Sequence, residues 1–353
     1  MPRPSLLKPL LSRRRFVTSL SLAPLAPLVP LPAGAAPERS RVRRTLMGTL
    51  VDITVADTGG ADVSLPIEQA FDEMQRLERL MSRFDPASQV SRINREAGRA
   101  SVAIAPELMA VLQQARQRAE LTRGAFDPAL GQLTAQADPG ATPLAPARLR
   151  QYVEHANSQA LELDPAQGRA RLNDSLARLD LGGVAKLPIL AAGLRQLEKA
   201  GLSGCLINGG GDVLATARAD GQPWRIGIRD ACRPDRLLCI VPLKAGVVAS
   251  SGDYERFAMV DGQRVHHIID PKSGHPTTGL HGITMVAERH PQVNALGPAA
   301  MVAGPALAMS RLQQWGAEQA VLMHTDGRTE VSPALRERLL PPPDGQGIRG
   351  LAG

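Results

Sequence analysis

Between Leu179 and Val213 the chain reads Leu179-Asp180-Leu181-Gly182-Gly183-Val184-Ala185-Lys186, then a helix-compatible stretch, then Ile207-Asn208-Gly209-Gly210-Gly211-Asp212-Val213. An acid and a lysine flank the first glycine pair at a predicted helix start, where unpaired backbone N–H groups and the helix dipole favour an anionic ligand. The second cluster follows a predicted buried strand from Gly204 to Ile207, and its missing side chains let another segment or a ligand approach closely. Either cluster alone reads as a tight turn; the two in order argue for a ligand site. The run Gly209–Gly211 lacks the full dinucleotide fingerprint and the acid that should follow it, which disfavours a one-domain dehydrogenase.

Apolar periodicity predicts a first strand from Arg44 to Ala56 and amphipathic helices from Leu65 to Ser82, Ala105 to Thr122 and Pro188 to Ala200. The last tolerates its proline because it lies in the first turn. Strands are predicted at Trp224–Ile228, Leu237–Pro242, Val247–Ser250, Val265–Asp270 and Ile283–Ala287, and the fold closes with a helix from Pro305 to Trp315 and a strand from Ala320 to Met323. Helices and consecutive strands without regular alternation indicate an α+β class rather than a doubly wound sheet. With aromatic residues at only 3%, the core must be built from Leu, Val, Ile, Ala and Met. Residues 340–353, rich in Pro and Gly, are predicted to be a disordered tail.

The N-terminus carries Ser12-Arg13-Arg14-Arg15-Phe16-Val17, an apolar stretch from Leu20 to Leu31 and small residues at Ala33-Gly34-Ala35. This pattern predicts a twin-arginine export signal over residues 1–35 and a periplasmic, soluble mature protein. Removing that segment takes away five basic and no acidic side chains, so the formal charge falls from +7 to +2, and a nucleic-acid role loses its main support. Residues 36–339 are long enough for one large domain or two intimately joined lobes. Of three cysteines, Cys232 and Cys239 can close a small loop, and Cys205 falls in an apolar strand pattern. The His266–His267 pair does not read as a metal site, because strand neighbours point to opposite faces.

The ordered set of motifs resembles the ApbE family of FAD:protein FMN transferases over Met47 to Leu322. The likeness begins at Met47-Gly48-Thr49, continues through Met81-Ser82-Arg83-Phe84 with Ser88, Ser91 and Asn94, and runs through Gly124-Ala125-Phe126-Asp127-Pro128. The two glycine clusters and His266-His267-Ile268-Ile269-Asp270-Pro271-Lys272-Ser273-Gly274 complete it. The resemblance implies an ApbE-like, T-fold-related architecture of mixed antiparallel sheet and helix layers. It also implies an activity: FAD is cleaved, FMN is joined to a Ser or Thr of an acceptor protein belonging to a redox complex, and AMP leaves. By position, Met47, Phe84, Ala125, Phe126, Asp127, Asp180, Lys186 and Ile269 match FAD-contacting residues. Lys186 is then a phosphate partner, and Asp127 and Asp180 accept from ligand donors; read without the family, Asp127 is a turn cap and Asp180 a helix-entry cap. His267 and Asp270 are the candidate catalytic groups.

The family's Mg²⁺ is held by an Asp, a Thr four residues on, and a backbone carbonyl at the position of Gly183. Here Asn294 stands for the Asp and Pro298 for the Thr, in a segment expected to be helical with the two on one face. An amide brings no charge and proline no side-chain oxygen, whereas a hard cation favours charged oxygen ligands. Leu187, Pro188, Ala191 and Ala129 depart from the family pattern in the same region. Two functions follow from these residues: an exported FMN transferase with a modified metal site at Gly183 and Asn294, or a non-catalytic FAD-binding relative that assists maturation of a periplasmic redox complex.

Overall fold

The computed structural model describes residues 39–348, apart from 57, 139–140, 143, 234, 254–256, 261–262, 344 and 346. The predicted export segment lies outside the described residues. In chain order the elements begin with β1 (Ser40–Leu46), β2 (Thr49–Val55), α1 (Ser64–Met81), α2 (Gln89–Arg95), β3 (Val102–Ala103) and α3 (Pro106–Leu121). They continue with α4 (Gly131–Thr134), α5 (Pro146–His155), β4 (Leu161–Asp164), β5 (Arg169–Leu172), α6 (Lys186–Lys199), β6 (Cys205–Gly209), β7 (Asp212–Ala215), β8 (Trp224–Arg229) and β9 (Leu237–Leu243). The remainder are β10 (Gly246–Gly252), β11 (Phe257–Val260), β12 (Gln263–His266), β13 (Leu280–Ala287), α7 (Leu296–Ala303), α8 (Ala308–Gln314), β14 (Gln319–His324), β15 (Thr329–Val331) and α9 (Pro333–Arg336).

The frame is an eight-stranded sheet in the order β1-β2-β6-β7-β10-β13-β14-β15, antiparallel throughout. Its central strands are apolar on both faces, and the alternation sorts each residue to one of two cores. Leu214, Val247, Ala249, Ile283, Met285, Ala320 and Leu322 join the core formed with α1, α6, α7 and α8. Val213, Ala215, Val248, Val286, Val321 and Met323 point the other way, into a core closed by β8, β9 and α9. Strands buried on both sides read as apolar runs rather than as alternation, which is why their periodicity in the sequence is weak. A smaller three-stranded sheet, β3-β5-β4, and the helices α2 to α5 lie between β2 and α6 in sequence. The α+β class expected from the sequence is the class observed.

Four expectations change. The single strand from Arg44 to Ala56 is a hairpin, because Met47 and Gly48 adopt φ of 53° and 68°, the left-handed pair that two-residue hairpin turns require. The strand expected from Val265 to Asp270 stops at His266; beyond it Ile269 makes only an isolated bridge to Pro276. The predicted tail is tied to the fold at two described residues: Leu340 exchanges two backbone hydrogen bonds of 2.9 Å with Ile240, and Ile348 N–H donates to Leu238 O at 3.1 Å; 349–353 lie outside the described residues. The outer edge of β9 offers unpaired backbone groups, and the residues after α9 take them. Finally, Cys239 is a buried thiol, pushed up to about 12 by desolvation, and is not joined to the exposed Cys232. Among the described residues no helix is long and apolar enough to cross a membrane.

Helix α6 sets the register of the helical layer. Leu190 occupies the space that a side chain on Gly209 of β6 would need, since a Cβ there would lie 2.9 Å from Leu190 Cδ1. On its other flank, Gly193 lets α6 approach α1, where a Cβ would fall 2.7 Å from Met74 Sδ. Gly193→Leu should therefore overpack this contact and cost about 1–3 kcal/mol, read as a lower urea midpoint at unchanged slope. A midpoint equal to the parent's would show that α1 and α6 are not held together at Gly193.

Candidate functional site

The turn into α6 is clamped from several directions. The Asn94 amide pairs with Leu179 as a strand neighbour would, donating from Nδ2 to Leu179 O at 3.0 Å and accepting from Leu179 N at 2.7 Å. Asp180 N–H donates to Pro128 O at 2.8 Å. The Asp180 carboxylate accepts from Gly182 N at 2.8 Å and from the Thr134 hydroxyl at 2.6 Å, and pairs with Arg83 Nε at 2.9 Å. Arg83 grips Asp138 with its other two nitrogens, at 2.9 and 2.6 Å, and its guanidinium carbon stacks 4.1 Å from the Phe84 ring centroid. Phe84 is 67% exposed, so a flat apolar ring held by a paired arginine faces solvent beside the turn. Asp180 thus holds the Gly182 turn rather than capping α6, whose N-cap is Ala185 without a side-chain bond, and it also anchors the arginine under Phe84.

Lys186, the first residue of α6, joins the two glycine clusters. Its Nζ lies 2.8 Å from Asp212 Oδ2 and 3.5 Å from Gly210 O, while Asp212 Oδ1 accepts from Ser250 N at 2.9 Å. Gly210 has φ 57°, and a Cβ there would fall 2.3 Å from Thr49 Oγ1, so this turn packs directly on the β1–β2 hairpin. That hairpin carries Met47, whose N–H donates to Glu78 Oε1 at 2.7 Å. Met47, the second glycine cluster, Lys186 and the N-terminus of α6 therefore share one end of the sheet. The first N–H groups of a helix have no intrahelical acceptors, and together with an ammonium they make a place for a phosphate-bearing ligand.

Phe126 and Asp127 divide between floor and scaffold. A Cβ on Gly183 would lie 3.2 Å from Phe126 Cε2, so the ring packs on the glycine, with Ala125 half-buried beside it. Asp127 is buried, and its two oxygens accept from Ala129 N at 2.7 Å and Ser158 N at 2.8 Å. Burial pushes its carboxyl above the usual carboxylate range, against the pull of those two backbone donors. Both oxygens thus serve the turn-cap role. Ile269 is buried in a small cluster with Leu130 and Leu133.

The two histidines have different duties. His266 is buried, with Nε2 at 2.9 Å from Thr277 O and Nδ1 accepting from Ile268 N at 3.3 Å. Facing a carbonyl with one nitrogen and an N–H with the other assigns it a neutral tautomer protonated at Nε2. His267, the candidate catalytic group of the sequence, is half-buried. Asp270, expected as a catalytic partner, shapes the next turn: its Oδ1 accepts from Lys272 N at 3.0 Å and its carbonyl from Gly274 N at 2.8 Å.

The three metal positions do converge, but not as ligands. Pro298 Cγ would lie 3.8 Å from a Cβ on Gly183. Asn294, 2% exposed, donates from Nδ2 to Val184 O at 2.8 Å and to Gln114 Oε1 at 2.7 Å. The segment is not the single helix expected: α7 starts at Leu296, and Ala295 before it has φ 65°. Asn294 reaches Val184 from before that left-handed kink and Pro298 lies against Gly183 from within α7, so the two do not share a helix face. An amide donor and a proline ring do not suit a hard cation, and among the described residues no three His, Cys, Asp or Glu side chains are grouped to hold a metal.

Several residues escaped the sequence reading. Thr134, Asp138 and Gln114 support the site from α3, α4 and the segment after it, and no local signal distinguishes them from ordinary surface polar residues. Arg83 and Asn94 stood within quoted motifs, but their partners are distant in sequence. If Lys186 meets a phosphate, Lys186→Ala should weaken FAD binding by about ten- to a hundredfold, the worth of a charge-assisted contact of about 1.5–3 kcal/mol, and leave riboflavin nearly unaffected. Calorimetric titrations showing equal loss for both ligands would place Lys186 in folding instead, through Asp212.

Comparison with known proteins identifies the family and the fold. A sequence model of the ApbE family matches residues 47–322. A FAD:protein FMN transferase of Treponema pallidum is 30% identical over 332 residues, covering 87% of this chain and 91% of the relative. Another from Klebsiella pneumoniae is 24% identical over 326 residues, covering 88% and 92%. The crystal structure of the ApbE protein of Thermotoga maritima superposes with a TM-score of 0.79 at 28% identity, over 85% of this chain and 99% of that one. The flavin transferase ApbE of Vibrio cholerae shares the fold, with a TM-score of 0.74 at 22% identity over 85% and 99%. With the Met47–Gly48 turn, both glycine clusters and the histidine motif all inside the matched span, the chain belongs to the ApbE family.

Proposed function

We propose that this chain is a FAD:protein FMN transferase, and that the observation carrying the assignment is Lys186 at the start of α6 bridging both glycine clusters. FAD would lay its pyrophosphate against the first turn of α6 and Lys186, with Phe84 and Met47 available to the rings. The acceptor Ser or Thr oxygen attacks the phosphorus on the FMN side. The new P–O bond forms as the bond to the bridging oxygen breaks, and AMP departs with that oxygen. The hydroxyl proton leaves to a base, for which His267 is the candidate by its place in the histidine motif. Phosphoryl transfer needs positioning and charge neutralisation more than covalent help, and this arrangement supplies both.

The test is to incubate the protein with FAD and an acceptor from a redox complex. Transfer should add the mass of one FMN to a Ser or Thr of the acceptor and release one AMP. His267→Ala should lower the rate by about 10²–10⁴-fold, the usual worth of a general base. FAD binding without transfer to any acceptor would favour the non-catalytic reading.

The site of action is proposed from the N-terminal sequence. Arg13 and Arg14 before the apolar stretch support export by the twin-arginine route, which carries folded proteins and so allows FAD to be loaded first, in the cytoplasm. Replacing both arginines by lysine should leave unprocessed precursor inside the cell. Normal processing and periplasmic recovery of that variant would rule out this route.

A further inference from the structure

The side chain of Asn294 is 2% exposed and committed at both amide hydrogens. One of its acceptors fixes how the amide is turned. Val184 O is a backbone carbonyl and can only accept, so the atom 2.8 Å from it must be the NH₂ group. The neighbouring Gln114 amide then presents its oxygen to the same nitrogen, at 2.7 Å. The segment is held in place as well: Asn294 N–H donates to His290 O at 3.0 Å, and the left-handed Ala295 swings the chain into α7.

A carboxylate at this position would have no such freedom. One of its oxygens would sit where the NH₂ is now, and even with the Gln114 amide turned to donate, it would face the Val184 carbonyl oxygen with nothing positive between them. Such a site is stable only if a proton or a cation lies there. The amide needs neither, because it carries its own donors to both acceptors. The neighbouring position agrees. Pro298 presents ring carbons to Gly183, with no hydroxyl.

We propose that the Asn294 amide stands in place of the divalent cation, bridging Val184 and Gln114 directly, so that the fold and FAD binding of this chain are independent of metal. Charge on the ligand's phosphates is then met by Lys186 and the α6 N-terminus. The structural half of this inference concerns the protein alone; the ligand half rests on the flavin-transfer reading above.

Two measurements on the full-length protein separate these halves. In the first, thermal unfolding without flavin is recorded in EDTA and in millimolar Mg²⁺ for the parent and for Asn294→Asp. The parent should melt at one temperature in both buffers. Asn294→Asp should melt several degrees lower than the parent in EDTA, and Mg²⁺ should narrow the gap, because the new carboxylate faces the Val184 carbonyl oxygen. A parent stabilised by Mg²⁺ over EDTA, or an Asn294→Asp variant that melts with the parent in EDTA, would overturn the proposal. Should Asn294→Asp fail to fold, Gln114→Ala removes one acceptor more gently, and it should lower the melting temperature equally in the two buffers; a loss confined to EDTA would overturn the proposal as well.

In the second measurement, FAD is titrated into the parent in the same two buffers. The dissociation constants should agree within about twofold, and a tightening of about tenfold or more by Mg²⁺ would contradict metal independence. Absence of FAD binding in both buffers would instead defeat the flavin-transfer reading and leave the unfolding result to judge Asn294.

Discussion

The ion pair between Lys186 and Asp212 is the contact on which the site depends. It ties the first residue of α6 to the first residue of β7 at 2.8 Å, and these elements belong to different layers. Asp212 is fixed from behind by Ser250 N, so the lysine is positioned relative to the sheet and not merely to its own helix. A buried pair of this kind contributes little net stability once desolvation is counted. Its value here lies in orientation: it keeps an ammonium at a helix N-terminus, beside glycines that a phosphate can approach.

The surrounding fold is arranged to hold that end of the sheet steady. The β1–β2 hairpin presses Thr49 against Gly210, α6 lies on β6 through Leu190 and Gly209, and Asn94 fastens the strand-like residue Leu179 before the turn. Arg83 extends the network outward from Asp180 to Asp138 and supports Phe84. Rigid elements thus place backbone and charge, while the exposed ring is the part left able to adjust to a ligand.

Helices with clear apolar stripes were legible: α1 and α3 match the periodic stretches to within a residue or two, and α6 begins with Pro188 in its first turn as expected. The double-faced strands were found as apolar runs, but their partners were not, because pairing between distant strands leaves no local mark. Met47 was read as strand since methionine rarely adopts positive φ; only the geometry shows the turn. The motifs marked the right region, yet they did not assign duties within it. Asp127 was expected to meet the ligand and Asp270 to act in catalysis; the structure adds that both carboxylates accept backbone N–H groups, which depends on the N–H groups that fold back within reach. At Asn294 the sequence showed that a carboxylate was missing. Only the structure shows what the amide does with its two hydrogens.

The account stands on the α6 N-terminus and Lys186 forming one cradle for the FAD pyrophosphate with the second glycine cluster. A crystal structure of the FAD complex tests this most directly. The account predicts phosphate oxygens within hydrogen-bonding distance of Lys186 Nζ and of first-turn N–H groups of α6, with Phe84 against a ring of the ligand. FAD bound elsewhere on the molecule, with the Lys186–Asp212 pair intact and no phosphate near it, would contradict it.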